Sequence, residues 1–431
     1  MRRATVATWA LCILAVPLAA SANERLRKGP WLMDLRTDGV VVMAERATPG
    51  ALVVRAVPQG PGGDQTDGVV TTRSGVDAQL QELAVTGLRP GTRYRYEVSA
   101  PDLDVVEGTF ATAPAEPVPF RFVIYGDTRS HARAHGTTVE AIVHEGAAFA
   151  VHTGDLLEDG RDDEDWQGFF DIEAPLLRSC PFVPVIGNHE IARPLSNGIE
   201  NFRRYVHVAP GGPSNELDWV FRYGGVRFVL ANAYDDWSGP ARDWLDRELG
   251  RARSEAPNEW LFVVMHWGPR SSGPHGDNVL LQRAAVDGIL RRHHVDLVIS
   301  GHDHAYERGD DEGLRFLVSG GAGAPLYERD EVRPMTRFFA SEHHYVRVEV
   351  EREQVRFTAL RPDGSTLETA TLRHDGWTDA PRSAPVDAPP APPPAIHDTH
   401  ARDGDWSWVW KAIPAAVAVG LGAWGLRRKL R

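Results

Sequence analysis

Five short apolar runs in the middle of the chain limit its possible folds most, because each ends on residues able to hold a metal ion. Residues 120–125 lead into Gly126-Asp127, 149–153 into Gly154-Asp155, and 182–186 into Gly187-Asn188-His189-Glu190. Residues 261–265 lead into His266, and 295–300 into Gly301-His302-Asp303-His304. The runs have the length and the Val, Ile and Phe content of buried strands, and helical stretches such as 137–145 and 242–251 fall between them. This alternation predicts an α/β sheet, in which ligands gather in a crevice beyond the carboxyl ends of the strands. All five endings are therefore expected to converge.

The residues that converge define the chemistry. Asp127, Asp155, Asn188, His266, His302 and His304 offer hard oxygen and borderline imidazole donors with no thiolate, a set suited to Zn, Mn or Fe. Two ions about 3.5–4 Å apart that share one carboxylate can clamp the attacking and leaving oxygens of an in-line displacement at phosphorus.

Taken in order, Gly126-Asp127, Gly154-Asp155, Gly187-Asn188-His189-Glu190, Val263-Val264-Met265-His266 and Gly301-His302-Asp303-His304 resemble the motifs of calcineurin-like metallophosphoesterases, with the purple acid phosphatase branch nearest. The similar stretch covers about 118–360. The resemblance implies a four-layer α/β/β/α sandwich with two bound metal ions (Fe, Mn or Zn). It implies that Asp155 bridges the ions, that Asp127 and His304 hold the first, and that Asn188, His266 and His302 complete the second. His189 would lie near the leaving oxygen as proton donor or charge stabiliser, a role suited to an imidazole of ordinary pKa about 6.5. The attacking group would be hydroxide supplied by the metals.

Two departures from the family pattern stand out. The broad family has Asp-x-His in its first motif, where this chain reads Asp127-Thr128-Arg129; purple acid phosphatases supply a tyrosine three residues after the bridging aspartate, where this chain has Glu158. Glu158 has two open readings, a ligand of the first ion or a loop cap within an acidic run. Arg129 also has two, a bidentate grip on a phosphate oxygen or an ion pair that balances the acidic site. His275, on a loop after the His266 strand, is a candidate substrate contact against the alternative of an ordinary polar loop residue. His152, His293, His294, His343 and His344 read as structural or solvent-facing, and Tyr306 as packing. Gly320-Gly321-Ala322-Gly323-Ala324 lacks the Lys-Ser/Thr of a nucleotide loop and reads as a tight turn near the site.

Residues 23–115 show short alternating runs separated by Gly, Pro, Asp and Thr, which predict an all-β sandwich. Gly29-Pro30-Trp31-Leu32 and Leu88-Arg89-Pro90-Gly91-Thr92-Arg93-Tyr94 resemble the fibronectin type III-like domain that precedes the catalytic domain in purple acid phosphatases. The catalytic domain is expected over 116–375, a size that leaves both parts able to bury a core.

The remaining segments concern location. Residues 1–22 have the charged, apolar and small-residue parts of a secretory leader, the alternative being an uncleaved anchor. A Pro-rich linker is expected over 376–405, a membrane-spanning or sorting segment over 406–426 and a basic tail over 427–431, with an amphipathic surface segment as the other reading. Loss of the leader would remove Cys12 and leave Cys180 alone, without an intramolecular disulfide. A net charge of −12 gives no reason to expect nucleic acid as a partner. The expected activity is hydrolysis of a small phosphate monoester by an exported, membrane-tethered enzyme. The alternatives are a phosphodiesterase or nucleotidase of the same fold, and a catalytically weak surface binding protein. Oligomeric state is left open.

Overall fold

The computed structural model describes residues 24–379 apart from 61–62, 76–77, 192–196, 210 and 215. The expected leader, the spacer beyond 379, the 406–426 segment and the basic tail lie outside the described residues. Among the described residues no helix is long and apolar enough to cross a membrane.

Strands β1 (Leu26–Met33), β2 (Gly39–Arg46), β3 (Val53–Gly60), β4 (Gly63–Asp64), β5 (Val70–Arg73), β6 (Leu80–Thr86), β7 (Arg93–Ser99) and β8 (Val106–Ala111) form two antiparallel sheets, ordered β1-β2-β6 and β4-β3-β7-β8 with β5 on β3. Alternation selects the buried face: Gln81, Leu83 and Val85 of β6 and Tyr94, Tyr96 and Val98 of β7 point inward, with open residues between them.

The larger part begins with β9 (Phe120–Tyr125), α1 (Ala132–Val143), β10 (Ala150–His152), α2 (Asp163–Leu177), β11 (Phe182–Pro184), α3 (Asn188–Ile191) and α4 (Asn197–Tyr205). It continues through β12 (Trp219–Tyr223), β13 (Val226–Leu230), α5 (Pro240–Glu255), β14 (Trp260–Val264), α6 (Val279–Arg283), α7 (Val286–Arg292) and β15 (Leu297–Ser300). Strands β16 (Tyr306–Asp311), β17 (Leu314–Ser319), β18 (Thr336–Ala340), β19 (Tyr345–Val350), β20 (Val355–Leu360), β21 (Thr366–Arg373) and β22 (Gly376–Asp379) complete it.

Two seven-stranded mixed sheets result, ordered β11-β10-β9-β19-β20-β21-β22 and β12-β13-β14-β15-β17-β16-β18. Phe122, Ile124 and Val151 of the first meet Phe228, Phe262 and Ile299 of the second in a shared inner layer. The alternate residues Val123 and Tyr125 pack with Val139 and Ile142 of α1, while Val263 and Val298 pack with Leu245 and Leu249 of α5. Strands covered on both faces explain the unbroken apolar runs, and the architecture is the expected four-layer α/β/β/α sandwich behind an all-β region. Residues 376–379, expected in the linker, instead pair with β21 as an edge strand, and Trp377 is buried against Phe357.

The β-sandwich is fastened to the larger part by buried charge and an indole. Lys28 Nζ, fully buried, lies 2.7 Å from Glu45 Oε2 and 3.0 Å from Asp163 Oδ1, at the start of α2. Arg204 reaches Glu45 at 2.9 Å, and the Tyr205 hydroxyl donates to Asp163 at 2.9 Å. Although burial opposes it, hydrogen bonds from Lys28 and Tyr205 hold the Asp163 carboxyl at about 2. Trp31 packs on Phe170 of α2 at 4.4 Å between ring centres, and its Nε1 donates to the Tyr205 carbonyl at 3.0 Å.

Two outcomes are expected. Lys28→Met strands a buried Glu45 against Arg204 and Arg27 and should cost about 3 kcal/mol, seen as a lower urea midpoint. His344 is held neutral by burial at about 4, with Nδ1 donating to Glu342 O and Nε2 accepting from Ser319. The unfolded chain takes up that proton near pH 6.5, so stability present above pH 6.5 is lost as pH falls toward 4, by about 3 kcal/mol. Urea titrations across that range should show a flatter loss in His344→Gln.

Candidate metal centre

Parallel register carries the strand ends to one edge. Tyr125, His152 and Pro184 are aligned partners in the first sheet, as are Val264, Ile299 and Leu317 in the second. The residues that follow them therefore meet where the two sheets face each other. His266 Nδ1 donates to Thr153 O at 2.7 Å, Thr153 Oγ1 donates to Ser319 O at 3.0 Å, and the His302 N–H donates to Asp127 Oδ2 at 3.1 Å. Asp127, Asp155 and His302 take left-handed backbone, with φ of 54°, 53° and 71°. Such conformations cost on the order of 1–3 kcal/mol each and persist where surrounding bonds over-determine them. Here Glu190, itself fully buried, accepts from the N–H groups of Asp155, Leu156 and Gly187 at 3.0, 2.8 and 2.7 Å. Gly187 is required by close approach, since a methyl there would meet the Asp155 Oδ1 and backbone N.

Five side chains form two buried groups that share one carboxylate. Asp155, His266 and His302 bring their donor atoms within 4.8 Å of one another, and so do Asp127, Asp155 and His304. Asn188 joins the former, with Oδ1 3.1 Å from His266 Nε2. Tautomers suit ligation: His266 and His304 each commit Nδ1–H to a carbonyl, Thr153 and Pro325, which turns Nε2 of each toward the carboxylates at 3.3 Å from Asp155 and 3.5 Å from Asp127. Burial holds His302 and His304 well below the usual imidazole range, in the neutral form that binds cations. Burial, followed by the Asp155 charge, pushes Asp127 up to about 8. Asp155 stays well below the carboxylate range despite burial, because His266, His189 and Arg129 face it. Against burial, the Asp155 and Asp127 charges push His266 up to about 9, so two buried carboxylates stand among two neutral imidazoles and one that carries a proton a cation would displace, a donor set that fits two borderline cations such as Zn, Mn or Fe.

The other candidates surround this centre. His189 Nδ1 donates to Glu158 O at 2.6 Å, and its Nε2 lies 3.8 Å from Asp155 Oδ2. His275 Nδ1 donates to Asp303 at 2.8 Å, and its ring lies 4.1 Å from that of His302. Arg129 lies 3.7 Å from Asp155 Oδ2 and 3.2 Å from Glu158. Glu158 lies outside both groups: its half-exposed carboxylate accepts from Ser130 Oγ at 2.5 Å and from Arg129 Nη1 at 3.2 Å. His152 is a core residue bonded to Gly154 N, Tyr306 is packed with its hydroxyl on Glu368, and Ala322 and Ala324 of the glycine-rich turn donate to Gly126 O and Asp127 O.

Sequence reasoning missed two tyrosines. Tyr234 donates to Asn188 Oδ1 at 3.0 Å, and Tyr327 stacks on His304 at 4.1 Å. Burial pushes the Tyr327 phenol up to about 12. Tyr234 had a signal, since it follows β13, a further apolar run parallel to β14; Tyr327 follows no strand end.

Residues 120–306 match the Calcineurin-like phosphoesterase family. The chain carries a calcineurin-like phosphoesterase domain. Purple acid phosphatase 23 of Arabidopsis thaliana is 27% identical to it over 281 residues, covering 56% of this chain and 60% of the relative. The chain spans roughly half to three fifths of the length of the curated relatives it matches. The purple acid phosphatase PPD1 of yellow lupin (Lupinus luteus) shares the fold with a TM-score of 0.67 at 18% identity, over 80% of this chain and 74% of that one. A structure of PhoD superposes with the same TM-score at 13% identity, over 85% and 94%.

For the calcineurin-like domain, Asp155→Asn should lose both ions and His304→Ala only the one shared with Asp127, as read by metal analysis. Tyr234→Phe removes the donor to Asn188 and should weaken binding of the second ion roughly 10–100-fold in a chelator competition.

Proposed function

We propose that this chain is an exported, metal-dependent phosphatase that hydrolyses small phosphate monoesters. The observation that carries the reading is Asp155, one carboxylate common to two buried ligand groups at the meeting of two sheets. Metals bound there supply Lewis-acid polarisation of phosphoryl oxygens and lower the pKa of water toward neutrality. The chain's residues supply the rest. Asn188, His266 and His302 hold one side of the centre, and Asp127 and His304 the other. His189, its Nδ1 proton committed to Glu158 O, faces the centre through Nε2 and is placed to donate to the leaving oxygen. Asp303 fixes His275 beside His302, and His275 is assigned here to the substrate's phosphoryl group. The relative's name, a purple acid phosphatase, supports a phosphatase, and monoesters are the substrate class proposed from it. Export rests on the leader-like residues 1–22, and a membrane tether on residues 406–431.

The test is reconstitution with Mn, Zn or Fe, followed by metal analysis and assay with p-nitrophenyl phosphate and bis(p-nitrophenyl) phosphate. Two ions per chain with monoester turnover are expected, and His189→Ala should lower kcat by roughly 10²–10⁴. Protein that holds both ions yet turns over neither ester would end the reading; diester preference would move it to a phosphodiesterase.

A further inference from the structure

The two oxygens of Asp155 have different surroundings. Oδ1 lies against His266 Nε2 at 3.3 Å and accepts the His189 N–H at 3.0 Å, so it is engaged within the ligand cage. Oδ2 is faced by Arg129 Nε at 3.7 Å and His189 Nε2 at 3.8 Å. Arg129 occupies the position where the broad family's first motif has its histidine, so a permanent cation stands beside the shared carboxylate. Its Nη1 donates to Ser130 Oγ at 3.0 Å and to Glu158 Oε2 at 3.2 Å, while its Nε is buried without a hydrogen bond. The guanidinium is thus fixed at its outer corner and unsatisfied on the edge nearest the centre. Such an edge is complementary to an oxyanion that arrives with a ligand.

The charge of the ester decides what that edge is worth. A phosphate monoester brings three unesterified oxygens and up to two negative charges, whereas a diester brings two such oxygens and one charge. Metals and His189 can serve the oxygens both classes share; a further fixed cation rewards the additional anionic oxygen of the monoester. We propose that Arg129, aimed by Glu158 and Ser130, selects monoesters by gripping the phosphoryl oxygen that a diester has esterified. This rests on the phosphoesterase reading above. Glu158 is then a positioning residue for the guanidinium, in place of the ligand role its sequence position suggested. The family resemblance does not supply this assignment, because the first-motif histidine it implies is the residue Arg129 replaces.

The experiment uses the full chain reconstituted with metal. Arg129→Ala, Arg129→Lys and Glu158→Gln are compared with the parent for kcat/KM on p-nitrophenyl phosphate and bis(p-nitrophenyl) phosphate, for affinity toward inorganic phosphate by calorimetry, and for metal content. Arg129→Ala should lower the monoester-to-diester ratio and weaken phosphate binding, each on the order of tenfold to a hundredfold. Arg129→Lys should recover part of both, since a point charge remains without the fork. Glu158→Gln should raise KM for the monoester more than it lowers kcat. Equal losses on both esters, unchanged phosphate affinity in Arg129→Ala, or loss of metal from that variant would each overturn the proposal. A parent protein inert toward both esters would defeat the phosphoesterase reading alone, and phosphate binding would still decide what Arg129 does.

Discussion

Electrostatic compatibility at Asp155 is the constraint on which the rest depends. Two carboxylates within a fully buried cage repel each other, and the protein places His266, His189 and Arg129 around the shared one. Geometry is given up to achieve this: three of the ligands accept left-handed backbone, and Gly187 gives up a side chain so that Asp155 can fit. Glu190 makes the arrangement rigid by drawing three N–H groups from two strand ends onto one carboxylate. A single buried acid thereby fixes the positions of Asp155 and of the turn that leads to Asn188.

The β-sandwich contributes to this rigidity without carrying any of the chemistry. Lys28 is bound to Asp163 at the start of α2, and the loop leading to that helix presents Glu158 to Arg129 and its carbonyl to His189. Gly160 of the same loop accepts from Trp166 and Asn201 and donates to His189 O. The residues that orient the imidazole thus sit on a segment clamped from one side by the catalytic core and from the other by Lys28. This gives a physical reason for the two parts to share a buried interface instead of a flexible joint.

What the sequence made legible follows from strand ends. Asp127, Asp155, Asn188, His266, His302 and His304 each follow an apolar run directly, so alternation and parallel pairing were enough to bring them together. The readings at Glu158 and Arg129 stayed open because they depend on which way a loop side chain turns, and Ser130, invisible as a motif, donates to the Glu158 carboxylate. The pairing of His275 with Asp303 joins two loops from different strands, which no spacing rule encodes. Trp31 is buried, and that its partner is Phe170, far along the chain, is visible only in the structure. The strand at Gly376–Asp379 was hidden by its nearness to the Pro-rich stretch.

The origin of the ligands has a further consequence. Asp127, Asp155 and Asn188 descend from the first sheet, and His266, His302 and His304 from the second, so cations held there act as rivets across the seam between layers. Sliding of one sheet past the other and grip on the metals become a single degree of freedom. A chain whose layers had settled one residue out of step would not bring the two groups of side chains together.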